Sequence, residues 1–100
     1  MAELTLSTHI LDTEEGAPVG GVKVGLFRGK DLVSLQETDA DGRIGNLFET
    51  EFRPGEYRLV FYIAHGFFEK VELTIALVDE DHYHVPLLIS SYSCVTYRGS

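Results

Sequence analysis

Apolar side chains recur at every second position along most of this 100-residue sequence. Tyr57, Leu59, Phe61 and Ile63 alternate with Arg58, Val60 and Tyr62. Val71, Leu73, Ile75 and Leu77 alternate with Glu72, Thr74 and Ala76. Successive side chains of a strand point to opposite faces, so this period marks strands that rest one face on a core. Leu4, Leu6, Thr8 and Ile10 form one face of a first strand, and Thr5, Ser7, His9 and Leu11 the other. Val22, Val24 and Leu26 mark a second strand, and a third covers about Leu32 to Thr38. Near the C-terminus, Val85, Leu87 and Ile89 face one way and His84, Pro86 and Leu88 the other. A last strand runs from about Tyr92 to Tyr97. No segment holds a helical period over about ten residues.

Turn signals separate these runs at intervals of roughly 8–12 residues, as in sandwiches and barrels. They are Glu14-Glu15-Gly16-Ala17-Pro18, Gly29-Lys30-Asp31, Asp39-Ala40-Asp41-Gly42, Arg53-Pro54-Gly55-Glu56, His65-Gly66 and Asp79-Glu80-Asp81. The predicted fold is an all-β, antiparallel sandwich of seven to eight strands, with residues 1–100 as a single domain. Pro86 has no N–H, so its strand is expected at a sheet edge or with that position unpaired.

Composition excludes several partners. Sixteen acidic residues against eight basic ones give a net charge of −8. Nucleic acid demands a basic footprint and anionic membranes attract one, so neither is expected as a partner. Cys94 is the only cysteine, which removes an intrachain disulfide and a cysteine-based metal cluster. Met1-Ala2-Glu3-Leu4 has neither the basic nor the apolar region of a signal peptide, and no apolar run reaches the ~18 residues of a membrane helix. A cytoplasmic location is expected.

The alternation also sorts the candidate chemistry. His9 lies opposite Leu6 and Ile10, and His84 opposite Val85 and Leu87, so both imidazoles point off the core. If the first and penultimate strands share a sheet, both project from its outer surface. A lone outward histidine is ordinarily a solvated residue, and His65 in a turn and His82 in a loop read that way. Arg43, directly after Asp41-Gly42, reads by default as a solvated turn residue. His82 and His84 share a strand face, but zinc normally needs three or four ligands and no such set follows, so no metal is expected. The sequence carries neither a Gly-rich nucleotide loop after a strand nor a Gly-x-Ser-x-Gly elbow. Water chemistry remains: a neutral histidine as general base and an arginine holding negative charge.

The motifs resemble a known family. Ser7-Thr8-His9-Ile10-Leu11-Asp12-Thr13, with Gly16-x-Pro18 and Gly21-Val22-x-Val24, is similar to the opening of the transthyretin-related 5-hydroxyisourate hydrolases. Thr38-Asp39-Ala40-Asp41-Gly42-Arg43 resembles their second motif, and Pro54-Gly55-Glu56-Tyr57 leads into their middle strand. His82-Tyr83-His84-Val85-Pro86-Leu87-Leu88 and the terminal Tyr97-Arg98-Gly99-Ser100 resemble the third and fourth. The resemblance implies a transthyretin-like (prealbumin-like) sandwich. It implies a hydrolase that opens the ring of 5-hydroxyisourate to a ureido-imidazoline carboxylate in urate degradation, and a homotetramer without metal or cofactor. It implies catalytic roles for His9, Arg43 and His84, and a substrate site lined by Tyr97, Arg98 and Ser100. The alternative on the same scaffold is a tetrameric small-ligand carrier, which has no reason to keep all of these residues. The sequence departs from the family in three places. Residues 62–70 are shorter than the usual stretch with its short helix. Ser91 stands where proline is usual. Cys94 and Val95 replace an aromatic residue and a serine near the expected channel.

Overall fold

The computed structural model describes residues 4–49, 52–78 and 82–99. The Asp79–Asp81 turn and Ser100 lie outside the described residues. Among those described, two sheets pack face to face, and no helix is present. The first sheet holds β1 (Thr5–Asp12), β2 (Ala17–Pro18), β5 (Arg43–Ile44), β8 (His82–Ile89) and β9 (Cys94–Thr96). Its order is β2-β1-β8-β9, with β5 also pairing β1. The second runs β4-β3-β6-β7, formed by β3 (Lys23–Arg28), β4 (Asp31–Glu37), β6 (Gly55–Tyr62) and β7 (Val71–Leu77).

The core lies where the alternation places it. Leu6, Ile10, Leu87 and Ile89 from the first sheet meet Val24, Leu26, Leu59, Phe61 and Leu77 from the second, all essentially inaccessible to water. Each such aliphatic side chain contributes about 1.5–3 kcal/mol of burial. Thr8, on the core face of β1, donates its hydroxyl to the Val85 carbonyl at 2.6 Å and so carries no unsatisfied oxygen inside.

Three features depart from the sequence reading. The seven longer strands match the expected count, and two two-residue pieces, β2 and β5, add to it. The expected all-antiparallel pairing is broken between β1 and β8, which run parallel in register over eight pairs, from Thr5↔His82 to Asp12↔Ile89. Finally, β8 is a central strand, flanked by β1 and β9. Pro86 fits there because its missing N–H points to the β9 side, where the ladder covers only Leu87 to Ile89. The Thr96 hydroxyl donates to the Pro86 carbonyl at 2.8 Å, filling that gap with a side chain. The unpaired position, rather than the sheet edge, accommodates the proline.

In place of the family's helix, residues 62–70 make a tight turn closed by the His65↔Phe68 bridge. Gly66 takes φ +59° and sits against Ser91, where an added Cβ would come within 2.3 Å of the Ser91 carbonyl oxygen. Phe67 donates its N–H to that same oxygen, while the Ser91 N–H and hydroxyl both donate to Glu14 at 2.6 Å. Proline at position 91 has neither donor, so the shortened turn and the Ser91 departure belong to one arrangement. These bonds lower the pKa of the Glu14 carboxyl from its ordinary value.

Candidate active site

The outward face of the first sheet collects most of the residues singled out above. Parallel registry sets Ser7 beside His84 and His9 beside Pro86. On the other side of β1, the short β5 sets Arg43 directly opposite His9. Paired residues share a face, so His9, Arg43 and His84 stand together on one surface although they lie far apart in sequence.

The turn before Arg43 explains how an arginine reaches that place. Asp39 accepts the N–H groups of Asp41 and Arg43 on Oδ1, each at 2.9 Å, which curls the chain locally. Gly42 takes φ +74° and passes so close to β1 that a Cβ would lie 2.5 Å from the Ile10 carbonyl oxygen. Only glycine permits both. Its carbonyl accepts the Ile10 N–H at 2.8 Å, docking the turn onto β1 so that Arg43 emerges beside His9. Arg43 is exposed, as the default reading has it, but it stands in a two-residue strand paired with β1 and not in the turn itself.

His84 is held on two sides. Its Nδ1 lies 2.8 Å from the Ser7 hydroxyl oxygen. Its carbonyl accepts the Gly99 N–H at 2.7 Å, and a Cβ on Gly99 would stand 2.7 Å from the ring's Cδ2. Any larger residue where the tail crosses the imidazole would force the ring to shift. The His84 pKa is lowered from the usual imidazole range, first by burial and then by the positive fields of Arg43, His82 and His9. A lowered pKa keeps this imidazole neutral, the form that accepts a proton.

The tail extends the β8–β9 register. Leu87↔Thr96 and the His84↔Gly99 bridge are separated by three residues on each strand, so Tyr97 stands opposite Pro86 and Arg98 opposite Val85. Tyr97, half-exposed, thus shares the outward side with Pro86, whose other neighbour is His9. Arg98 is turned the other way. Its guanidinium carbon lies 4.3 Å from the centre of the buried Tyr83 ring, at a cleft of about 500 Å³ bordered by Leu73, Ile75, Leu77 and Val85. The structure does not bring Arg98 to the face of His9, Arg43 and His84, because adjacent strand residues point oppositely.

Two side chains read as bland, or given no role, belong to this surface. His82 is the first residue of β8, not a loop residue, and it bonds to the Thr5 and Ser7 hydroxyls. Ser7 is the link between His82 and His84. Its presence on the His9 face was readable from the alternation, but its partners depend on parallel pairing. At the far end of β1, Asp12, Glu14 and His65 form a separate group with one ligand atom each within 4.8 Å. Both carboxylates serve the turns there: Asp12 accepts the N–H groups of Glu14 and Glu15, and Glu14 those of Ser91.

Comparison with known proteins adds a second line. The sequence profile of the HIUase/Transthyretin family matches residues 6–99. A 5-hydroxyisourate hydrolase of Pseudomonas aeruginosa is 42% identical over 114 aligned positions, spanning 95% of this chain and 90% of that protein. Among solved structures, the 5-hydroxyisourate hydrolase of Klebsiella pneumoniae superposes with a TM-score of 0.89 at 34% identity, covering 100% of both chains. Sea bream transthyretin, solved in complex with thyroxine, superposes with a TM-score of 0.86 at 29% identity, over 95% of this chain and 94% of that one.

Proposed function

The chain belongs to the HIUase/Transthyretin family, and we infer that it is a hydrolase opening the ring of 5-hydroxyisourate. The observation that carries this reading over a carrier is the shared face of His9, Arg43 and His84. The fold serves both kinds of protein, so the decision rests on the site. A small-ligand carrier needs a cavity that matches its ligand. It does not need a neutral imidazole, a second imidazole and a guanidinium on one surface.

The reaction assigns each group a task. His84, kept neutral by its surroundings, takes a proton from water as that water's oxygen bonds the ring carbonyl carbon. Negative charge then develops on the carbonyl oxygen, and Arg43 holds it. His9, opposite Arg43, orients the water or the substrate and supplies a proton to the leaving ring nitrogen. Tyr97 borders the substrate on the tail side. Arg98 anchors the tail through Tyr83 instead of contacting the substrate, and so fixes Gly99 against His84. Ser100, outside the described residues, keeps the substrate-side role that the family resemblance gives it.

The chain works as a homotetramer in this reading, and edge chemistry supports it. On β7 the core-facing Val71, Leu73 and Ile75 are only half-buried, and Val95 on β9 and Tyr97 just after it are exposed. Apolar residues left open along two sheet edges are covered when copies assemble. Sedimentation at micromolar concentration should give four times the chain mass; a monomer would remove the assembly and any site built between copies.

The function is tested by adding the protein to freshly made 5-hydroxyisourate and following ultraviolet absorbance. Accelerated loss of the substrate, with a ureido-imidazoline carboxylate as product, is expected. A decay rate unchanged by the protein would remove the hydrolase reading and leave the carrier.

A further inference from the structure

Hydroxyls and imidazoles alternate along the β1–β8 seam. The Ser7 hydroxyl oxygen lies 2.8 Å from Nδ1 of His84 and 3.3 Å from Nε2 of His82. Thr5, the next outward residue of β1, bonds Nδ1 of the same His82 through its hydroxyl. Parallel registry produces this line: Thr5 pairs with His82 and Ser7 with His84, all on one face. The half-buried His84 is its inner end, and the exposed His82 lies towards solvent.

Proton counting narrows what such a line can be. A hydroxyl donates one hydrogen and accepts others, and a neutral imidazole has one donor and one acceptor nitrogen. Three arrangements satisfy all three links: two run in a single direction, and in the other both rings donate to Ser7 while Thr5 donates to His82 Nδ1, which also leaves His84 Nε2 bare. In the first, His84 Nδ1–H donates to Ser7, Ser7 O–H donates to His82 Nε2, and His82 Nδ1–H donates to Thr5. His84 Nε2 is then bare. In the reverse direction Ser7 donates to His84 Nδ1, the hydrogen sits on Nε2, and that nitrogen cannot accept a proton from water. Turning the ring over would put Cδ2 where Nδ1 meets the Ser7 hydroxyl and lose that bond.

Building on the hydrolase reading, we propose that Ser7, backed by His82 and Thr5, is a positioning residue that fixes His84 as the Nδ1–H tautomer. His84 Nε2 is then the base. In the step it serves, the O–H bond of water breaks, its proton goes to Nε2 and its oxygen bonds the substrate carbonyl carbon. The resulting imidazolium is stabilised through its Nδ1–H on Ser7. The charged or titratable groups facing His84 are His82 on its own strand, His9 on β1 and Arg43 on β5. They oppose the imidazolium, so an oriented hydroxyl on Nδ1 is the compensating contact.

The test reads the tautomer first and the rate second. Two-bond ¹H–¹⁵N correlation of uniformly labelled, substrate-free protein should give His84 a protonated Nδ1 and a bare Nε2. A protonated Nε2 would overturn the proposal. Ser7→Ala should move His84 towards the Nε2–H form and lower kcat about tenfold, part of the ~10²–10⁴ that a general base supplies, with KM little changed. Ser7→Thr should restore most of both. His82→Phe should shift the tautomer the same way, with a smaller loss of kcat, and it decides the matter if Ser7→Ala does not fold. Ser7→Ala with an unchanged tautomer and unchanged kcat would also overturn it. The spectrum needs no substrate, so an enzyme inactive on 5-hydroxyisourate with a protonated Nδ1 would sink the function and leave the tautomer standing.

Discussion

Each sheet turns one face to the core and one outward, and the two outward faces are built to opposite ends. That of the first sheet carries hydroxyls, imidazoles and a guanidinium: Thr5, Ser7, His9, Arg43, His82 and His84. That of the second is apolar and partly covered by its own side chains, with Leu35 and Tyr62 still exposed. Gly25 on β3 leaves space into which the Phe27 and Tyr62 rings lean, and an added Cβ would meet Phe27 at 2.9 Å and Tyr62 at 3.6 Å. Val60, on the outward side of β6, is as buried as a core residue. Arg58 lies over Phe27, 4.7 Å from the ring centre, and pairs with Glu72. The difference teaches where stability and activity are separable. Polar groups on the first face add little to the core and, in the proposed mechanism, carry the chemistry. Rings on the second cover part of that sheet.

Substitutions can break that division. The largest effect is expected for His84→Ala, His9→Ala and Arg43→Ala, each lowering turnover by ~10²–10⁴. Urea unfolding of the same proteins should shift by about 0.5 kcal/mol or less. A parallel collapse of stability and rate would mean that this face is part of the folding core. Gly99→Ala comes next. Its Cβ would press on His84 Cδ2, displacing the imidazole, and a misplacement on the order of 1 Å costs about a hundredfold in rate. Initial-rate measurement with unchanged thermal unfolding is the expected result.

The opposite face should give the opposite signature. Gly25→Ala is expected to cost about 1–3 kcal/mol through displacement of the Phe27 ring, with turnover unchanged in the folded fraction. Equal activity loss at Gly25 and Gly99 would erase the comparison. The smallest effect is a pH dependence. The His84 pKa is lowered, so the base limb of the rate profile should lie below the ~6.5 of an ordinary imidazole. The sign for stability follows. Between the folded and unfolded pKa values the unfolded chain binds more protons, so stability falls slightly as pH drops through that window. Removing the positive charge of Arg43 as Arg43→Gln should raise the inflection, because that charge is the second cause of the shift.

Much of the useful face was legible because alternation is local information. His9 beside Thr5 and Ser7, and His84 opposite Val85 and Leu87, follow from counting by two. The partner of a strand is not local information. Nothing in residues 5–12 announces that they pair parallel with 82–89, and without that pairing Ser7 has no contact with either imidazole. A two-residue strand such as β5 is too short to display any period, so alternation leaves Arg43 in the turn and only the motif resemblance gives it a role. The three acidic residues just before His82 read as a turn, which leaves His82 in a loop although it opens β8. Arg98 was grouped with Tyr97 by motif, although adjacent positions on an extended chain face opposite ways. The tail continues the register of β9, and alternation along it separates the two side chains.

The β1–β8 seam also governs when the protein can act. Ser7 and His84 lie 77 positions apart, so their contact requires the chain to close almost its longest loop. Such distant pairing slows folding relative to neighbouring hairpins like β3–β4. A nascent chain that has displayed His9 and Arg43 to solvent still lacks the proposed base and the tail. Both arrive with residues 82–99, and β1 waits with an unpaired edge until then. Synthesis therefore yields no partly active product, and the interval before closure is the chain's most aggregation-prone moment.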